Sequence, residues 1–204
     1  MKNVNLVVAP QKWIVDPMHT TVMFSVRHLM IATVHGVFET VRGIARYDAQ
    51  RPELTKLAIE IPVASIHTRQ PQRDAHLLDP DFFDADAYPT ISFRSTRIGV
   101  IDGRVHEIAG DLTIRGTTRE LVLAVDEISG EQVDHNGRVK IGASATARIL
   151  RSEFGMTYNR VLETGGFAVS DEVKLRFDVS LLKHLEHDAP LRSILSADAR
   201  TQPG

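Results

Sequence analysis

The chain contains no cysteine, so no disulfide and no thiolate-held metal can form, although this alone does not fix the compartment. It also has no excess of one charge. Its 24 basic and 26 acidic residues are interspersed and give a net charge of −2. No basic block is present to follow a phosphate backbone, and nucleic acid is not an expected partner. No apolar run approaches the length of a membrane span, so the chain is not expected to cross a bilayer. The opening MKNVNLVVAPQKW has only a short apolar stretch, too short and too polar for a secretory signal, and a cytoplasmic protein is expected. The nucleophile elbow G-x-S-x-G, the Walker loop, the dinucleotide fingerprint and H-E-x-x-H are all missing.

What is present is strand patterning. At 204 residues the chain suits one all-β domain. The organising stretch is 13–38. Val22, Phe24 and Val26 alternate with Thr21, Met23, Ser25 and Arg27, and His28 falls next on the apolar face. An imidazole on that face must find a partner, a water or a ligand. Gly36 and Gly43 in the following strand allow bends or close backbone approach. LAIEIPV alternates again, with Pro62 marking a bulge or a strand end.

Residues 69–87 break the rhythm. Pro71 suits the first turn of a helix, Asp79-Pro80 ends it, and a second helical turn can follow at 81–85. Strands then resume, joined at Asp102-Gly103, at Arg115-Gly116 and over 134–137. Gly142, Ala143, Ser144, Ala145 and Ala147 line one strand with small side chains, so something else fills that volume, a facing aromatic or a ligand. The last strand runs 173–181, and a short helix is expected after Pro190. Many strands, tight turns and no βαβ rhythm predict a single closed antiparallel β-barrel of about eight strands. Short helical segments are expected at its mouth and in the C-terminal tail.

Several motifs occur in order: W-x-x-D-x-x-H-T from Trp13, FSVRHL from Phe24, VHGVF from Val34, SIHT at 65–68, RDAHLLDPDFF at 73–83, YPTISFRST at 88–96, GDLTIRGTTREL at 110–121, RSEFGM at 151–156 and VSDEV at 169–173. Together they make the chain resemble the YceI-like family of lipocalin-like lipid-binding proteins. The resemblance implies a lipocalin-like barrel over 13–182, an extension over 1–12 and a polar tail over 183–204. It also implies a polyisoprenoid, quinone or fatty-acyl ligand.

Phe24, Val26, Leu29, Met30, Phe38, Ile59, Ile61, Phe93 and Phe177 are the apolar candidates for core or ligand lining, and His28 for anchoring a polar head. The expected activity is binding, with sequestration or transport of an apolar chain, without catalysis, cofactor or metal; a homodimer is allowed. The alternative is an enzyme acting on a hydrophobic isoprenoid-like substrate in the same pocket. Nine histidines invite a metal, but scattered imidazoles more often serve structure. The testable version is convergence of His19, His28 and His35. Asp16/His19 and Arg73/Asp74/His76 read as fasteners of loop ends.

Overall fold

The computed structural model describes residues 11–159 and 168–185. The helix expected after Pro190 and most of the N-terminal extension lie outside them. Among the described residues, twelve strands form one antiparallel sheet: β1 (Gln11–Val15), β2 (Thr21–His28), β3 (Ala32–Phe38), β4 (Arg42–Tyr47), β5 (Lys56–Pro62), β6 (Ile66–His67), β7 (Thr90–Ile101), β8 (Arg104–Ile114), β9 (Thr117–Ile128), β10 (Gln132–Val133), β11 (Val139–Leu150) and β12 (Glu172–Lys183). Pairing runs β11–β9–β8–β7–β5–β4–β1–β12 and returns from β12 to β11, which closes an eight-stranded barrel. β2, β3 and β6 prolong β1, β4 and β5 toward one end: β12 pairs with β1 at 181–183 and with β2 at 174–178.

Local chemistry explains the breaks. Between β1 and β2, Asp16 N–H donates to Ser180 O (2.8 Å), and Thr20 Oγ1 accepts from Ser180 N–H (3.1 Å), so the kink is tied to β12. β5 ends at Pro62, which has no N–H for the ladder, and a 3₁₀ turn over Val63–Ser65 leads into β6. The helix α1 (Pro71–Leu78) starts at Pro71, with the Gln70 side chain capping Arg73 N–H (2.6 Å). The stretch expected to form a second helical turn is instead a run of turns folded back on α1, with Ala85 N–H donating to Leu78 O (2.8 Å). Of the three expected tight connections, Asp102-Gly103 and Arg115-Gly116 have both residues of the pair at positive φ, and the third, over 134–137, is closed by Gly137 N–H donating to Asp134 O (2.9 Å).

Core side chains line the interior from Trp13, 1 % exposed, at the end where β12 finishes, to Phe154, 1 % exposed, at the other. Gly36 and Gly110 are less bends than receptacles. A Cβ on Gly36 would overlap the Phe24 ring, and one on Gly110 would overlap the Phe93 ring. Each glycine leaves the space that an inward phenyl ring occupies over the neighbouring backbone.

Candidate functional site

The inward faces enclose a cavity of about 680 Å³. Tyr47, Thr55 and Leu57 border it at one end. At the other end α1, the β2–β3 and β8–β9 turns and residues 151–159 gather, and this end is called the mouth. Between them the walls are almost wholly aliphatic and aromatic, including Val22, Phe38, Ile61, Leu123, Val125 and Phe177. The small residues Ala143, Ser144 and Ala145 of β11 also border the space, so their missing volume is left to the cavity rather than taken by a facing ring. Twelve-residue strands such as β11 and β12 at ~3.3 Å per residue, tilted by about 40°, give a tunnel roughly 30 Å deep.

Eight of the ten candidate residues border this cavity: Phe24, Val26, His28, Phe38, Ile59, Ile61, Phe93 and Phe177. Leu29 and Met30 do not. They form the β2–β3 turn, 37 % and 63 % exposed, because strand alternation ends at His28 and the hairpin reverses there. His28 sits at the mouth end of β2, its backbone bridged to Val169, and Leu29 N–H donates to Ala168 O (2.7 Å). The backbone at the strand end is thereby satisfied without the imidazole. Among the described residues the His28 ring has no hydrogen-bond partner.

The mouth is organised by two arginines. Arg151, 6 % exposed, donates through Nε to Ser170 O (3.0 Å) and through Nη1 to Met156 O (2.6 Å) and Tyr158 O (2.9 Å). It borders the cavity while tying the 156–158 segment to the backbone at 170. Burial pushes its guanidinium below the ordinary arginine range, partly offset by the charge of Asp171. Arg73 donates through Nε to Thr68 Oγ1 (2.7 Å) and through Nη2 to Thr68 O (2.6 Å), and Asp74 accepts from Thr68 N–H (2.9 Å) and its hydroxyl. These bonds fix the start of α1. Across the mouth, the His76 ring meets Phe82 (5.0 Å) and Tyr158 (5.1 Å) edge-on, and Phe82 meets Tyr158 at 5.3 Å. The helix segment and the 156–159 segment therefore touch through rings. Phe38 meets Phe83 edge-on (6.1 Å) and Phe24 at 5.7 Å, carrying the contact into the barrel wall.

Sequence reasoning singled out neither Arg151 nor Tyr158 and Asn159 for the site. A polar cluster built from backbone carbonyls 5 to 19 residues away has no spacing signature. His19, His28 and His35 do not converge. His19 Nδ1 is bonded to Asp16 (2.8 Å), His28 borders the cavity, and His35 is exposed on the barrel exterior. Among the described residues no cluster of three His, Cys, Asp or Glu side chains could hold a metal. Likewise, no helix there is long and apolar enough to cross a membrane. Away from the mouth, Asp16 lies buried between β1 and β2, its carboxylate accepting from Lys140 Nζ (3.0 Å) and Met18 N–H (3.1 Å) as well as His19. Burial raises its pKa, but these bonds and the Lys140 charge outweigh burial and hold it below the ordinary carboxylate value.

A closed eight-stranded antiparallel barrel around a deep apolar cavity defines a lipocalin-like protein. The chain belongs to the YceI-like family: the family model for the YceI-like domain matches residues 13–181. Curated relatives include a UPF0312 protein of Pseudomonas syringae pv. syringae, 32 % identical over 138 residues, which are 68 % of this chain and 71 % of the relative. One from Staphylococcus aureus is 30 % identical over 159 residues, 78 % of this chain and 90 % of the relative. Among solved structures, a Campylobacter jejuni YceI protein superposes with a TM-score of 0.64 at 31 % identity, over 78 % of this chain and 90 % of that one. A Saccharophagus degradans domain, described as polyisoprenoid binding, shares the fold with a TM-score of 0.61 at 13 % identity, over 86 % of this chain and 99 % of that one.

Proposed function

We propose that the protein binds one extended apolar chain, of isoprenoid, quinone or fatty-acyl type, inside the barrel and sequesters or carries it. The observation that carries this reading is the cavity itself. Its volume of about 680 Å³ lies within the roughly 300–1,000 Å³ of ordinary ligand pockets. Its walls are almost wholly hydrocarbon, while the cationic, imidazole and amide side chains that border it (His28, Arg73, His76, Arg151, Asn159) collect at the mouth. That distribution suits a ligand that enters tail-first and leaves a polar end at the mouth. Each buried CH₂ contributes about 0.8 kcal/mol, so affinity grows with chain length until the far end is reached. The description of the Saccharophagus degradans domain as polyisoprenoid binding makes a prenyl chain the first ligand to try.

The test is native mass spectrometry of the purified protein, before and after organic extraction, followed by titration with a prenyl alcohol and a long-chain fatty acid. One equivalent of a non-covalent apolar ligand, or uptake of one equivalent of probe, is expected. A homogeneous ligand-free mass with no uptake of either probe would overturn the reading. Release of a chemically altered probe would replace it with catalysis on the same substrate class.

A further inference from the structure

The turn between β2 and β3 is made of residues that neither its geometry nor its surroundings favour. Ile31 N–H donates to His28 O at 3.1 Å, and the two residues between, Leu29 and Met30, have φ of 51° and 61°. The turns at 102–103 and 115–116 also pair two positive φ values, with glycine second in each. Such turns favour Asn-Gly or Asp-Gly, because a Cβ is strained in the left-handed region. Here two large apolar side chains occupy those positions. They are also in water: Leu29 is 37 %, Met30 63 % and Ile31 78 % exposed. Among the described residues none of the three joins the core cluster or borders the cavity. Folding alone does not account for them.

Their place does. Val26 and His28, just before the turn, border the cavity at its mouth. The tip is fastened to the rim by the Leu29 N–H bond to Ala168 O. Arg27 donates through Nη2 to Met30 O (2.8 Å) and through Nη1 to Thr33 Oγ1 (3.0 Å), which sets an exposed cation at the root of the apolar tip. Tyr158, 36 % exposed, stands on the same rim. An apolar tip flanked by arginine and tyrosine matches the way protein segments sit at a bilayer interface, apolar groups in the acyl boundary and amphipathic ones at headgroup level.

We propose that the mouth docks on a lipid bilayer, with Leu29, Met30 and Ile31 entering the acyl boundary and Arg27 remaining among the headgroups. The ligand then passes between bilayer and cavity without crossing bulk water. The inference rests on the apolar-chain reading above. A bilayer is the occupant that fits because the tip is continuous with the entrance of a cavity built for hydrocarbon, and a chain that fills such a cavity resides in membranes when unbound.

The full chain is compared with Met30→Asp/Ile31→Asp and with Leu29→Asn/Met30→Gly by flotation with phosphatidylcholine vesicles. The rate of transfer of a fluorescent polyunsaturated fatty acid to the protein is measured both from those vesicles and from dilute aqueous solution. The second variant supplies the residues this turn prefers and is expected to keep or raise the melting temperature, so its losses are not unfolding. Both variants are expected to lose vesicle binding by at least about tenfold, and to slow vesicle transfer in proportion, while uptake from solution is unchanged. Flotation and vesicle transfer equal to the parent in the stable variant overturn the proposal. A dimer in sedimentation velocity that dissolves in the variants, with no flotation of the parent, overturns it in favour of a second copy covering the tip. If no form takes up the probe from solution, the chain-binding reading fails separately, and flotation alone decides docking.

Discussion

His28 combines three properties that rarely meet in one residue: an inward position on an apolar strand face, a place at the cavity mouth, and a ring unpaired among the described residues. If it anchors a polar end group, His28→Ala is expected to weaken binding of a prenyl alcohol by roughly 1–2 kcal/mol, the scale of one hydrogen bond in an apolar site. The matched hydrocarbon should bind unchanged and the melting temperature should stay within a degree or two. Calorimetry on both ligands checks this, and an equal loss for both would assign His28 to packing. Asp16 acts on stability instead. Its folded pKa lies below the ordinary 3.8, so its stabilising contribution is complete above about pH 4 and is lost as pH falls through the lower, folded value. Asp16→Asn removes the charge that holds Lys140 and His19 and is expected to cost about 1–3 kcal/mol at neutral pH. Urea unfolding should show parent and variant converging as the pH is lowered below 4.

Among the elements, α1 and the turns after it are the least supported part of the wall. α1 has no fully buried residue and is held by the bonds of Arg73 and Asp74 to Thr68 and by the ring contacts of its far end. By contrast, β8 is paired on both sides over 107–113, and β7 and β9 are each paired along nearly their whole length on at least one side. Residues 70–84 are therefore expected to exchange amide hydrogens faster than β7, β8 and β9, and to slow when ligand is bound. Protection equal to that of the strands and unchanged by ligand would show that this segment does not open to admit the chain. The clasp is the His76–Phe82–Tyr158 cluster. An aromatic pair contributes about 0.5–1.5 kcal/mol, so Tyr158→Ala should raise the ligand dissociation rate by roughly 2- to 10-fold while changing strand stability little. Stopped-flow displacement of a fluorescent probe measures it.

At the scale of the whole molecule, the barrel must stay closed while leaving its middle empty. Closure comes from β11–β12, eleven paired positions long, and from Arg151 tying 170, 156 and 158 at the rim. Emptiness comes from small residues where β11 faces inward. Ala145→Phe is expected to fill part of the tunnel, so that long prenyl chains lose affinity by tenfold or more while short ones still bind, at ~0.8 kcal/mol for each excluded CH₂. Because the ring enters existing space, the melting temperature should hold or rise. A titration series of increasing chain length measures this directly, and uniform affinities along the series would place the ligand elsewhere.

Strand alternation, turn pairs and breakers are local properties, so the sequence by itself determined the all-β class, the glycine-containing hairpins at 102–103 and 115–116, the helix starting at Pro71, and the inward face of Val22, Phe24, Val26 and His28. Period two reaches only as far as the strand does, and for that reason Leu29 and Met30, read as continuing the lining, belong to the turn beyond it. Which apolar residues pack and which leave space depends on strand tilt, register and the meeting of β11 with β12, all set by contacts between residues far apart in the chain. The mouth is a stronger case. Arg151 finds its partners at 156, 158 and 170, and His76 meets Tyr158, only because the barrel has closed. Tertiary structure alone decided those contacts, since hydrogen bonds to backbone carbonyls and ring contacts across a gap impose no pattern on sequence.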